Sequence, residues 1–478
     1  MGTPLFINNS VTGSAASMNA TSNNKAVSFS DIQTKDIKHH FSPFSDNKEL
    51  AENGSRVISK AQGVYIYDDN GNKLLDAMAG LWCVNIGYGR QELVDVATTQ
   101  MSELPYYNLF FKTTHAPVAK LAAKITSLAP AHMNKVFFTG SGSEANDTVF
   151  RMVRRYWDLK GNPTKKQFIS RENAYHGSTV VGASLGGMGY MHEQGDLPIE
   201  GISHVKQPYH FKEGGELNPE EFGIKTAQSL EAKIIELGEE NVAAFIAEPF
   251  QGAGGVIIPP ESYWPEIKRI LAKYDILLVV DEVISGFGRT GEWFASQYYD
   301  LKPDLIPIAK GLSSGYLPIG GVIVGDRVAE TLIEKGGDFN HGFTYSGHPV
   351  AAAVALKNIE LLESEGIVER VKNDISPYLQ KRWQELATHP IVGETRGLGM
   401  VAGLELVRNK ISNERIVPES KAGGVCRDLS MANGLIMRPC GDTMIISPPL
   451  VITREEVDEL MEKAVKTLDE TAKHYNLM

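Results

Sequence analysis

The chain is poor in cysteine. It holds three, Cys83, Cys426 and Cys440, an odd number at wide spacing with no Cys-x-x-Cys pair. That excludes a disulfide scaffold and the usual cysteine metal and redox motifs, and it fits a reducing compartment, the cytoplasm. Long apolar runs are missing too; none approaches the roughly 18 residues that cross a bilayer, so no membrane attachment is expected. The first 28 residues are rich in Ser, Asn, Thr and Ala and lack the basic start and apolar centre of a signal peptide. Gly2 is followed by Phe6 where a myristoylation signal wants Ser or Thr, and 1–28 reads as a mobile or partner-docked tail. Histidines show no ligand spacing, so no metal is expected. Bases are the minority, 47 against 58 acids for a net charge of −11. That argues against nucleic acid or an anionic membrane as the main partner.

What is there is an alternation. Of 478 residues, 42% are hydrophobic, enough for a large core in two or three domains, or in one large α/β domain with an appendage. "GVYIYDDNGNKLLDAMAG" (63–80) predicts a hairpin around Asp-Asn-Gly. From about residue 90, strands such as "KVFFTG" (135–140) alternate with helices such as 144–161, where Ala145, Val149, Met152, Val153 and Tyr156 recur at helical spacing. This pattern predicts a mostly parallel sheet flanked by helices. Residues 76–345 are read as a large domain. Residues 29–75 and 346–478 are read as the N- and C-terminal parts of a smaller α+β domain.

Two familiar motifs are decoys. "GFGRTG" (286–291) matches the dinucleotide-binding G-x-G-x-x-G, but Asp281-Glu282-Val283 separates it from its strand and no helix opens after it, so a tight loop is expected. "GASLG" (182–186) matches a nucleophile elbow, yet no helix follows it. "TGSGSEAN" (139–146) has better context: strand, Gly/Ser loop, helix. Backbone N–H groups at such a helix start, with the hydroxyls of Ser141 and Ser143, can cradle a phosphate or serve as an ordinary cap. With no G-x-x-x-x-G-K-[ST], the phosphate is not expected to be that of a nucleoside triphosphate.

Two charges stand in apolar surroundings. Ile276–Val280 is an aliphatic strand that ends in Asp281 and Glu282. A carboxylate away from water needs a positive partner. Lys310 lies between Ala309 and Gly311, with no other charge from Leu305 to Gly325. A desolvated lysine loses its proton and becomes a nucleophile for carbonyl groups. A phosphate cradle, a lone lysine and a buried acid are what pyridoxal 5′-phosphate (PLP) requires, with the acid pairing the ring nitrogen. Asp281 and Val283 share a strand face, so Val283 can pack under the ring, and Tyr175 in "NAYHG" is a candidate for the other face.

Together "GLWCVNIGYG", "LPYYNLFFKTTH", "FFTGSGSEANDT", "AYHGST", "AEPFQGAGG", "VVDEVISGFGRTG", "IAKGLSSGYLPIGG" and "HGFTYSGHP" resemble class III aminotransferases of the fold type I PLP enzymes, from about residue 40 onward. "HEQGDLPIEGI", "GEENVAAFIAEP" and "MRPCGDTMIISPPL" are most similar to the ω-amine:pyruvate branch, and within it to polyamine (putrescine) enzymes. The resemblance implies a dimer with shared active sites and leaves tetramers open. Lys310 would form the Schiff base and shuttle the proton, and Asp281 would pair the ring nitrogen. Ser141, Gly142 and Ser143 would hold the phosphate, and Thr344 would reach that of the partner subunit. Trp82, Phe110, Tyr175 and Ala253 would line the substrate pocket. Arg438 would grip a keto-acid carboxylate and swing away for a simple amine, or else is a surface arginine. Glu248 would support the ring site or is a strand-end acid. The implied reaction passes an amino group from a primary amine or diamine to pyruvate. β-Alanine or another ω-amino acid, and (S)-aryl-alkylamines, are alternative donors. A nicotinamide oxidoreductase and a non-catalytic relative are the rivals from other classes.

Overall fold

The computed structural model describes residues 30–478; the 1–28 tail lies outside them. One compact unit ends at Ile58. In it the Asp31–His39 helix is closed by a capping box between Ser30 and Gln33, and Ser55 donates to Asp36 at 2.7 Å. The second unit, Ser59–Met478, holds three sheets. The first contains β1 (Ile58–Gln62), β2 (Tyr65–Asp68) and β3 (Lys73–Asp76). β2 and β3 form the expected antiparallel hairpin.

The central sheet has seven strands: β4 (Met133–Thr139), β5 (Gln167–Arg171), β6 (Ile202–Val205), β7 (Val242–Ala247), β8 (Leu277–Val280), β9 (Leu305–Ile308) and β10 (Gly320–Gly325). Their order is β4-β10-β9-β8-β7-β5-β6. β10 alone runs opposite, antiparallel to both its neighbours. Every residue of β7, β8, β9 and β10 is buried. This explains their unbroken apolar sequences: helices cover both faces, so no residue faces water. The Gly142–Leu159 helix buries Ala145, Val149, Met152, Val153 and Tyr156 against the sheet.

The third sheet is antiparallel, in the order β11-β12-β15-β14. It comprises β11 (Val392–Leu398), β12 (Val401–Leu406), β14 (Arg438–Cys440) and β15 (Thr443–Ile446). β13 (Leu435–Ile436) pairs in parallel with β3, so the chain crosses from the first sheet to the third at Met437, and Arg438 is the first residue on the far side. Neither decoy has its motif's context, although a short helix, Gly189–His192, does follow 182–186, where the sequence reading expects none. Residues 286–290 are turns and Gly291 a bend, and Ser184 is buried inside the short Val180–Leu185 helix, donating to Val180 O at 2.6 Å.

Candidate active site

In a parallel α/β sheet, binding residues gather beyond the carboxyl ends of the strands, and they do so here. Ala247 of β7 pairs with Val280 of β8, so the next residues, Glu248 and Asp281, are neighbours. Lys310 stands two residues past β9, Tyr175 and His176 follow β5, and Ser141–Ser143 follow β4.

Asp281 is 4% exposed. Its Oδ2 accepts from His176 Nδ1 at 2.7 Å and Asn146 Nδ2 at 2.9 Å, and its Oδ1 from the Val283 N–H at 3.0 Å. Burial works to raise this carboxyl, but His176, Asn146 and the Val283 N–H outweigh it and hold Asp281 below the usual carboxylate range. The acid therefore has protein partners that sequence reasoning missed. His176 was passed over because only metal spacing was sought; its place beside Tyr175, in the turn after a strand, was the available signal. Glu282 points the other way, and the N–H groups of Ala295 and Ser296 (2.9 and 2.5 Å) and the Ser285 hydroxyl (2.6 Å) satisfy it.

Lys310 has φ +44°, a conformation costly for a residue with a Cβ. Asn358 holds the loop in place, donating to Gly311 O and Leu312 O at 2.9 and 3.0 Å. Burial pushes the Lys310 ammonium below the usual lysine range, although Cys83, Asp281 and Glu248 pull the other way. Its Nζ sits 5.7 Å from the centre of the Trp82 ring, and Arg438 lies over the same ring at 4.9 Å. Trp82 is placed by a tight turn in which Asp76 accepts from the Met78 and Gly80 N–H groups and the Tyr88 hydroxyl, at 3.0, 2.6 and 2.6 Å.

Ser141 caps the Gly142–Leu159 helix, accepting from Glu144 N at 3.2 Å, and the Gly142 and Ser143 N–H groups have no hydrogen-bond partner among the described residues. A Cβ on Gly142 would stand 3.0 Å from a Val283 methyl, and one on Gly177 would stand 2.6 Å from Ser143 Oγ. Glycine at both positions lets the cradle close on its neighbours. Glu248 accepts from Tyr175 N at 3.2 Å and Gly252 N at 2.9 Å, joining two loops of the site, and burial pushes its carboxyl up. Trp82, Ala253 and Tyr175 share one apolar cluster. Phe110 does not belong to it: a Cβ on Gly342 would meet its ring at 2.8 Å, and the nearby Tyr106 hydroxyl donates to Thr344 O at 2.7 Å. A cavity of about 380 Å³ is lined by Ala253, Tyr190, Arg438, Cys440, Glu405 and Glu419 among others.

These residues fit PLP. The cradle has the small residues that close approach to a phosphate needs. Asp281 is a buried, fixed anion for a ring nitrogen, and the Lys310 amine makes no hydrogen bond or ion pair among the described residues. His176 Nε2 is buried without a partner. Among the described residues no group of side chains could hold a metal ion.

The family described as Aminotransferase class-III matches residues 48–468. The putrescine–pyruvate aminotransferase of Pseudomonas aeruginosa is 66% identical over 434 residues, 91% of this chain and 95% of that protein. A mitochondrial gamma aminobutyrate transaminase of Solanum lycopersicum is 44% identical, covering 93% of this chain and 87% of that protein. The omega transaminase from Pseudomonas jessenii in complex with PMP superposes with a TM-score of 0.92 at 41% identity, over 94% of this chain and 99% of that one. A thermostable (S)-enantioselective omega-transaminase from Thermomicrobium roseum gives 0.89 at 42%, over 92% and 98%. The cradle, the strand-end acid and the buried lysine thus belong to a PLP-dependent class III aminotransferase of fold type I.

Proposed function

We propose that this aminotransferase takes the amino group of a primary diamine such as putrescine and gives it to pyruvate, releasing an aminoaldehyde and alanine. The observation that carries the reading is Arg438. Its guanidinium has no ion pair among the described residues and rests on the Trp82 ring that also faces Lys310. A free cation beside the reacting amine suits a keto-acid carboxylate, and a long side chain at the cavity wall can withdraw when a carboxylate-free donor enters. The likeness to the Pseudomonas aeruginosa enzyme supports putrescine over a simple ω-amino acid.

The geometry supports a set of residue roles. Ser141, Gly142 and Ser143 would hold the phosphate, Asp281 the ring nitrogen, and Val283 and Tyr175 the two ring faces. Glu248 would position Tyr175 and the Ala253 loop. When bound, PLP supplies a carbonyl carbon for the donor amine and a protonated ring that withdraws electrons. Lys310 Nζ, whose ammonium burial holds below the usual lysine range, accepts the proton that leaves the amine-bearing carbon of the donor. Trp82 and the apolar cluster behind it keep water from that carbon.

The enzyme is proposed to be a homodimer in the cytoplasm. Two segments, joined by the Tyr106–Thr344 hydrogen bond, carry Phe110 and Thr344 together with Tyr107, Phe111 and Tyr345, which are 52%, 89% and 66% exposed. An apolar surface of this kind suits burial against a second copy, where Thr344 and Phe110 would complete the neighbour's site. No helix among the described residues is long and apolar enough to cross a membrane. The large domain is proposed to span 76–345, with 29–75 and 346–478 as the two parts of the small one, a reading that the β3–β13 pairing supports for β3.

A donor screen with pyruvate as acceptor, reading alanine formed, tests the substrate. Putrescine should exceed β-alanine and 1-phenylethylamine in kcat/KM. A higher value for either of the others would replace putrescine as the donor.

A further inference from the structure

The segment between the Asp326–Lys335 and Pro349–Ser364 helices carries Thr344. One stripe of the Gly142–Leu159 helix holds it. Thr148, Arg151 and Arg155 stand at i, i+3 and i+7, on one face. Arg155 donates to Gly336 O at 2.9 Å, and Arg151 to Asn340 O at 3.1 Å. His341 is engaged at both ring nitrogens: Nδ1 lies 3.0 Å from the Arg151 guanidinium, and Nε2 lies 2.9 Å from Thr148 Oγ1.

These contacts fix the proton. A guanidinium only donates, so Nδ1 is the bare, accepting nitrogen. The Thr148 hydroxyl already gives its proton to Glu144 O at 2.8 Å, so its oxygen accepts and Nε2 carries the N–H. The ring is a neutral imidazole in one tautomer. Phe137 stacks on it at 5.6 Å and 12°, and Phe339 and Phe343 approach edge-on.

We propose that neutral His341 is the positioning residue that pins the 336–348 segment, and with it Thr344, to the helix whose first turn forms the anion cradle, and that a second proton on Nδ1 releases it. Protonation sets an N–H and a positive charge against the N–H and charge of Arg151. Among the described residues Arg151 is the charged group acting on the ring, so no carboxylate compensates. Thr148, Phe137, Phe339 and Phe343 carry no charge. Burial first, then Arg151, hold this imidazole below its ordinary range. The fold therefore favours the neutral form. The pin is whole above the ordinary histidine range and is lost as the pH falls through the lowered value. The consequence for the cofactor rests on reading Thr344 as a phosphate ligand; the pin itself does not.

The full-length holoenzyme, its His341→Gln variant and its His341→Ala variant would be followed between about pH 8 and about pH 5. One readout is amide hydrogen exchange of 336–346, corrected for the intrinsic effect of pH. The other is cofactor release, seen as loss of visible absorbance on dilution. The glutamine amide can donate to Thr148 but takes no proton. Acid should speed exchange about tenfold in the wild type and leave the glutamine variant flat, while the alanine variant should exchange fast at every pH. An equal acid response in wild type and His341→Gln, or none in the wild type, would overturn the proposal. Acid opening of the segment without faster cofactor release would keep the pin and remove the phosphate role of Thr344.

Discussion

His176 Nδ1 stands 2.7 Å from Asp281 Oδ2, and the two side chains are 0% and 4% exposed. A carboxylate only accepts, so His176 keeps a proton on Nδ1. Asn146 holds the same oxygen. The pair makes a strand-end acid into an anion with fixed charge and direction, the form that a protonated ring nitrogen needs.

Replacing His176 with leucine removes that donor and keeps most of the volume. A hydrogen bond to a charged group is worth about 1.5–3 kcal/mol, so turnover should fall by roughly 10- to 150-fold. Asp281 should also take up a proton more readily, which moves the acid limb of the pH–rate profile upward. Single-turnover rates across pH would show it, with circular dichroism to confirm the fold. An acid limb that stays in place would mean that His176 does not set the charge of Asp281.

Lys310→Ala should abolish both turnover and the visible band of the lysine-linked cofactor. The other cation over the Trp82 ring, Arg438, cannot give up its proton and so offers no replacement. A variant that kept band and activity would show that another residue carries the cofactor.

Glu405 anchors a buried charge cluster next to the strand that carries Arg438. It accepts from Arg396 at 2.9 Å, from Arg415 at 2.8 Å, and from the hydroxyls of Tyr209 and Thr443. Burial alone would raise its carboxyl, but Arg396 and the other donors outweigh it and hold it at about 2, against an ordinary 4.5. A lowered carboxylate stabilises the fold above its unfolded value and loses that contribution as the pH falls toward its folded one. Denaturant unfolding should therefore lose about 3 kcal/mol between pH 5 and 2 through this residue, at about 1.4 kcal/mol per pH unit. Glu405→Gln should cost roughly 3–5 kcal/mol near neutrality, because Arg415 loses its counter-charge and Arg396 keeps only Glu394, and should flatten that acid dependence. A variant as stable as the wild type would show that the arginines find other partners.

The sheet and the two central charges were legible because their signals are local. An unbroken apolar strand ending in Asp281, and a single lysine in an apolar segment, can be read within a few residues. The alternation of strands and helices fixed the sheet's parallel character for the same reason. The partners of those charges were not legible. His176 and Asn146 reach Asp281 from 105 and 135 residues away, brought there by the order of strands in the sheet. No spacing rule contains that order. The strain at Lys310 depends on the Asn358 side chain 48 positions later, a long-range dependence of the same kind. The Glu405 cluster and the His341 pin join segments through single side chains, which periodicity does not register.

The central claim is that one site serves a carboxylate-free amine and a keto acid by moving Arg438. Stopped-flow absorbance on the two half-reactions of Arg438→Ala tests it most directly. With putrescine, the single-turnover rate constant divided by its half-saturating concentration should stay within about tenfold of the wild type, or about 1.4 kcal/mol. With pyruvate it should fall far further, mainly through a higher half-saturating concentration, since the bidentate grip on the carboxylate is gone. Equal losses in the two halves would contradict the account and make Arg438 a structural residue of its strand.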